Sequence, residues 1–163
     1  MVRGSRRADE ISVLALGLFP RRGGGKPVDW RNFESYCVTV LAENGYRAQR
    51  NVWLKGSDRR QIDIVAARLG RVLCIDCKAW NRAGGASRTA RAVAKQRERT
   101  RLLKDQSVER IHAFDPSLPF YPMIVTLKDE GLRIFYGTPI VSFIDFNSFL
   151  VHMEEYDDLL VPI

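Results

Sequence analysis

Apolar positions along the chain follow two different periods. In residues 30–44, Phe33, Tyr36, Cys37, Val40, Leu41 and Asn44 recur three and four apart, which puts them on one face of a helix. Asp29 is the expected N-cap and Gly45 the expected stop. Residues 46–54 then read as a strand, closed by Lys55-Gly56-Ser57-Asp58, residues that favour turns. Residues 61–68 and 71–79 follow as two strands around Leu69-Gly70. In the first, Ile62, Ile64 and Ala66 alternate with Val65 and Ala67; in the second, Leu73 and Ile75 alternate with Val72 and Cys74. Strands apolar on both faces belong in the middle of a sheet covered on both sides.

A glycine-containing loop, residues 81–87, leads to a helix over residues 88–105. Residues 107–120, with Pro116 and Pro119, read as irregular. Residues 121–127 and 132–136 read as two further strands joined by Lys128-Asp129-Glu130-Gly131, and residues 142–153 as a last helix. The order helix, three strands, helix, two strands, helix predicts an α/β fold, a central mixed sheet flanked by helices. Residues 1–28 read as a basic extension: a short helix over 9–19, then the linker Arg21-Arg22-Gly23-Gly24-Gly25-Lys26-Pro27. Residues 29–163 form the expected folded domain.

Composition narrows the class. The chain has 163 residues, 45% hydrophobic and 28% charged, enough for one domain with its own core. Its longest apolar run, residues 11–19, is far short of the roughly 20 residues that span a bilayer, and Asp9 and Glu10 before it argue against a secretory signal. A cytoplasmic protein with no membrane partner is expected. Three cysteines, Cys37, Cys74 and Cys77, do not make a disulfide framework. The net charge is +7, and the basic residues cluster. One group is Arg3, Arg6, Arg7, Arg21, Arg22 and Lys26; the other is Arg88, Arg91, Lys95, Arg97, Arg99, Arg101 and Lys104. Such clusters are either solvated faces or sites that displace counterions from a polyanion. On the second reading, Arg88, Arg91, Lys95 and Arg99 are the candidate contacts to nucleic-acid phosphates.

The chemistry lies in the two apolar strands. Asp63 interrupts the first, and Asp76 and Lys78 the second; charges there are costly unless compensated. Side chains alternate along a strand, so Asp76 and Lys78 share a face. Folding the hairpin about Leu69-Gly70 sets Asp63 opposite Asp76, with Cβ atoms roughly 4.5–5.5 Å apart. Two carboxylates so close repel, and a hard divalent cation would reverse the sign of that interaction. Two alternatives stand beside this: Lys78 as a structural ion pair with one Asp, which leaves the other unexplained, and a register shifted by one residue, which separates the acids onto opposite faces.

Asp63 followed by Asp76-Cys77-Lys78, with Glu34 on the preceding helix, resembles the PD-(D/E)xK nuclease superfamily. Phe33-Glu34-Ser35-Tyr36, Asn44-Gly45-Tyr46 and Ile75-Asp76-Cys77-Lys78 look most like its archaeal Holliday junction resolvases and Mrr-type endonucleases. The likeness covers residues 30–140; Gln61-Ile62 stands where many members have a Pro before the Asp. The resemblance implies a restriction endonuclease-like fold and a metal-dependent DNA endonuclease. It implies Mg²⁺, with Mn²⁺ able to substitute, held by Asp63, Asp76 and Glu34. Lys78 would orient the attacking water and stabilise transition-state charge. Glu34 has the alternative role of balancing the helix dipole. Gln96 lies on the stripe Thr89, Val93, Gln96, Thr100, Leu103 and should face the sheet. It is either a packing residue or a polar neighbour of the metal, as in several families of this superfamily.

Other signals carry less. Cys74 and Cys77 point to opposite faces of a strand and cannot readily chelate one zinc. His112 and His152 lack ligand spacing, three cysteines exclude a four-cysteine iron–sulfur cluster, and Thr100 replaces the Tyr of the RecB-type glutamine motif. Trp80 and Asn81 border either the DNA channel or the core. The expected partners are duplex or branched DNA and a second copy of the chain. Phe143, Ile144, Phe146, Phe149, Leu150 and Met153 are too many for one narrow stripe, and residues 11–19 are an alternative interface. The competing readings are a catalytically silent DNA-binding subunit with the same fold and an RNA-processing enzyme on the same scaffold.

Overall fold

The computed structural model describes residues 30–163 except 57, 59, 69, 81–84, 110, 111 and 128–130, and only the backbone of Trp30 and Arg31. The expected N-terminal helix, the glycine linker and the Asp29 cap lie outside the described residues.

Helix α1, Trp30–Glu43, buries Phe33, Cys37, Val40 and Leu41, the stripe that its period predicts. Its end is a Schellman turn: Tyr46 N donates to Leu41 O, Gly45 N to Ala42 O, and Gly45 takes φ +77°. Strands β1 (Arg47–Leu54), β2 (Arg60–Arg68) and β3 (Arg71–Lys78) follow. Helix α2 spans Ala86–Val108 and strand β4 Phe120–Thr126. Strands β5 (Arg133–Phe135) and β6 (Thr138–Ser142), helix α3 (Phe143–Val151) and a 3₁₀ turn (Met153–Tyr156) complete the described fold.

The six strands form one mixed sheet in the order β1-β2-β3-β4-β6-β5. β1, β2 and β3 are antiparallel; β3, β4 and β6 are parallel; β5 pairs antiparallel with β6. α1 and α3 cover one face through Phe33, Leu41, Ile64, Ile75, Met123, Val141 and Phe146. α2 covers the other through Leu103 against Val65, Val72, Cys74 and Phe120, and Val93 against Ile124 and Ile140.

One strand escapes the sequence pattern. The sequence pattern assigns no element to residues 137–141, between the strand over 132–136 and the last helix. β6 is instead an interior strand buried at all its positions, and it separates β5 from β4. Pro139 is tolerated because the ladder with β4 runs from Ile140 onward, so the missing N–H breaks no bond there. Tyr136 (φ +49°) and Gly137 (φ +71°) form the turn from β5, two successive left-handed residues that suit the twist of a tight hairpin.

The helix surplus expected for a partner is also smaller than the sequence suggested. Phe143, Phe146, Phe149, Leu150 and Met153 are buried within the chain, while Ile144 is 45% exposed. α3 is enclosed by α1, β4 and β6, and Phe149 stacks on Tyr156 of the 3₁₀ turn, which uses more of its circumference than a single stripe.

Candidate active site

The register of β2 on β3 is the predicted one, running from Arg68↔Arg71 to Ile64↔Ile75. The ladder ends there, one position short of the two acids. The Cys77 N–H, next in line, donates to Asp63 Oδ2 at 2.8 Å, so a carboxylate takes the place of a backbone acceptor. Asp63 and Asp76 are therefore neighbours across two strands that have stopped pairing.

The cause is a reversal in the β1–β2 hairpin. Ile64 and Ala66 pack on the α1 side of the sheet, yet Ile62 packs on the α2 side. Residues two apart normally share a face, so β2 turns over at Asp63. β1 turns over with it: Ala48 packs on the α1 side, Val52 and Leu54 on the α2 side. Asn51 lies at the crossing, between the pairs Arg50↔Ile64 and Val52↔Ile62, with φ +53°, a conformation that asparagine tolerates better than most residues.

The reversal opens a cleft of about 470 Å³ lined by Glu34, Trp53, Gln61, Asp63, Asp76, Cys77, Lys78 and Arg99, with Phe33 and Ala79 at its floor and edge. Asp76, 3% exposed, is compensated by two cations. Lys78 Nζ is 2.8 Å from its Oδ2, and Arg99 NH1 is 3.2 Å from its Oδ1. Among the described residues, Asp63 has the Cys77 amide as its one hydrogen-bond donor. Burial pushes its carboxyl up to about 6; the amide pulls the other way, Asp76 and Glu34 raise it further, and Lys78 lowers it. Glu34, on the first turns of α1, faces the cleft, but its Oε2 accepts from Arg50 NH2 at 3.2 Å, while Arg50 NH1 donates to Ser35 Oγ.

This donor set suits a hard cation. It offers carboxylate oxygens, one of them held charged only at a cost, and a divalent ion would remove that cost. Among the described residues no group of three or more His, Cys, Asp or Glu side chains stands ready to hold a metal. Two carboxylates suffice for Mg²⁺, which keeps waters and binds substrate phosphate. A soft-metal site is disfavoured. Cys74 packs on the α2 side and Cys77 on the α1 side. Burial pushes the Cys74 thiol up to about 12. The Cys77 thiol is raised well above its ordinary range, first by its hydrogen bond with Cys37 and then by burial.

Gln96 faces the sheet, as its stripe predicts, and is fully buried. Its Nε2 donates to Cys74 O at 2.8 Å, tying α2 to β3 two residues before Asp76. It does not line the cleft. Trp80 packs against Val93, Ile124 and Ile140, which makes it a cap on the core. The basic cluster of α2 divides by face. Arg88, Arg91 and Lys95 are exposed, and Arg99 continues that side of the helix into the cleft. Arg97 donates to Val161 O, Tyr136 O and Thr138 Oγ1, and Lys104 donates to Ile163 O at 2.7 Å; these two fasten the last described residues to α2. Trp53 and Gln61 carry no signal in the sequence, because only the reversal at Asn51 brings them to the acids; Arg50, on the same face as Ala48, meets Glu34 by ordinary alternation.

Residues 26–107 match the Mrr_cat family model, described as restriction endonuclease. The chain belongs to this family. The six-stranded mixed sheet with its three helices is the restriction endonuclease-like α/β fold, and Glu34, Asp63, Asp76, Lys78 and Arg99 all fall within the matched stretch. An uncharacterized protein of Archaeoglobus fulgidus is 30% identical to this restriction endonuclease-family chain over 129 residues, which is 78% of this chain and 93% of the relative. The solved structure of AF1548, a protein of unknown function, superposes with a TM-score of 0.40 at 23% identity. That match covers 58% of this chain and 46% of the other, so the chain spans less than half the length of that structure. No described helix is long and apolar enough to cross a membrane.

Proposed function

We propose that the chain is a divalent-metal-dependent endonuclease that hydrolyses phosphodiester bonds in DNA, with Asp63 and Asp76 as the metal carboxylates. The observation that carries this is the convergence of Asp63, Asp76 and Lys78 on one open cleft. Mg²⁺, or Mn²⁺ in its place, would supply Lewis-acid polarisation of the phosphoryl oxygen and a more acidic water. Glu34 would join this pole by exchanging Arg50 for the metal or its waters. Lys78 lies on the Asp76 side of the cleft, where its ammonium can orient the attacking water and neutralise charge that builds on the phosphoryl oxygens. Arg99 can meet the scissile phosphate once Asp76 is shared with a cation, and Arg88, Arg91 and Lys95 extend a basic track along α2 for the flanking backbone. Gln96 acts as a positioning residue that sets β3 against α2.

The direct test is a digestion panel of junction, duplex, flap and single-stranded DNA, with an RNA control, in Mg²⁺ and in EDTA. Cleavage with Mg²⁺ alone is expected. Binding without cleavage in every metal would instead favour the silent-subunit reading, against which stands the presence of both acids and the lysine. In the same panel Lys78→Ala should slow cleavage by about a hundredfold or more, the scale of one lost transition-state donor, and weaken Mg²⁺ binding less than the Asp changes do. Unchanged turnover would remove Lys78 from the mechanism.

A junction resolvase or duplex cutter needs two such sites, one for each strand. A two-fold homodimer supplies them with the symmetry of its substrate. On α3 the large apolar side chains left exposed are Ile144 and Val151, so residues 1–28 stand as the alternative source. Light scattering at micromolar concentration, with and without residues 1–28, is expected to show a dimer that the truncation weakens. A monomer in both forms would leave one cut per binding event.

A further inference from the structure

Trp53 is a large apolar side chain, 53% exposed, in the wall of the proposed catalytic cleft. The backbone puts it there. Beyond Asn51, Val52 and Leu54 point to the α2 side, so Trp53 between them points the other way, toward the cleft that Glu34 and Asp63 also line. Its cross-strand partner Gln61 lines the same cleft, and the Gln61 side-chain amide donates to Asn51 Oδ1 at 2.5 Å. The brace therefore spans the point of reversal. A left-handed residue costs stability and persists where its surroundings hold it; here it sets an indole beside a pair of acids.

The cleft consequently offers two kinds of surface. Asp63, Asp76, Lys78 and Arg99 suit a phosphate with its cation. Trp53, the large exposed apolar residue among the described lining, suits a flat apolar group next to that phosphate. In continuous duplex both faces of every base are already covered by its neighbours. An unpaired nucleotide leaves a face free, and stacking on an aromatic side chain is sequence-tolerant because every base has such a face. We infer that Trp53 stacks on an unpaired base adjoining the scissile phosphate. The substrate class is then DNA with a splayed or single-stranded nucleotide at the cut, in preference to uninterrupted duplex. This rests on the nuclease reading above and adds the substrate to it.

The test compares the parent chain, Trp53→Phe and Trp53→Ala with Mg²⁺ on two substrates, a continuous duplex and the same duplex bearing a short unpaired flap. The parent should cut the flapped DNA faster. Trp53→Ala should lose about tenfold or more in kcat/KM on the flapped DNA, the scale of one lost base stack, and a clearly smaller factor on the duplex, and Trp53→Phe should keep most of the preference. Mg²⁺ affinity and the circular dichroism spectrum should not change. A parent without preference, or an alanine variant that keeps it, overturns the inference while leaving the nuclease reading intact. An equal loss on both substrates also overturns it, by making Trp53 a general wall of the groove. A parent inert on both substrates overturns the nuclease reading and the inference with it.

Discussion

Asp63→Ala and Asp76→Ala are each expected to reduce cleavage to background, while DNA binding measured by fluorescence anisotropy without metal stays close to that of the parent. The two halves have separate causes. The proposed cation needs both carboxylates, since Asp63 comes from the point where β2 turns over and Asp76 from β3, and Glu34 is already engaged with Arg50. Losing either should therefore cost more than the roughly 10²–10³-fold that follows removal of one transition-state donor. Phosphate affinity instead comes from cations, and Arg88, Arg91 and Lys95 lie on the exposed side of α2, untouched by either change. Asp76→Ala also frees Lys78 and Arg99 from their shared carboxylate, so its binding should rise slightly. Full cleavage by either variant would refute the assignment. A parallel loss of binding would mean that the acids maintain the cleft's shape rather than a cation.

Most of the scaffold is legible because its signals are local. Phe33, Cys37, Val40 and Leu41 repeat at helical spacing and Gly45 ends the helix in the predicted way. β2 and β3 are apolar on both faces because they lie inside the sheet. The register that brings the acids together follows from hairpin geometry. The features that were missed depend on partners distant in sequence or on one backbone angle. β6 looks like a loop because Pro139 removes a donor, and only the position of β4 shows that the donor is not needed. The reversal at Asn51 and Asp63 leaves no trace in the alternation, since Val52, Leu54 and Ile62 are apolar whichever side they face. Trp53 and Gln61 enter the site only through it. Arg97 and Lys104 read like any other basic residues of α2 until the end of the chain folds back onto them.

Neutralising the two acids should move stability in opposite directions. Asp63 in the metal-free fold has its carboxyl raised to about 6, mainly by burial, against about 3.9 in an unfolded chain. The folded state thus binds the proton more tightly than the unfolded state does. That contribution is fully present below about pH 4 and is lost as pH rises through 6. At neutral pH the ionised group costs at most about 3 kcal/mol, and about 1–2 kcal/mol once solvent in the open cleft is allowed for. Asp63→Asn removes the charge and keeps an oxygen to accept the Cys77 N–H, so in EDTA at pH 7.5 its Tm should lie several degrees above the parent's. The difference should vanish toward pH 4, where the parent's Asp63 is protonated. Asp76→Asn has the reverse effect. Its carboxylate is buried between Lys78 and Arg99, and a neutral amide leaves those two cations facing each other without a counterion. A loss of about 1–3 kcal/mol is expected, limited because both cations can turn toward water. Adding Mg²⁺ should then raise the parent's Tm by mass action and leave Asp63→Asn largely unmoved. Thermal melts across pH, with and without metal, read all of this in one experiment. An Asp63→Asn variant less stable than the parent in EDTA at pH 7.5 would show that Asp63 serves the fold, and that its position in the cleft is not strain held for a cation.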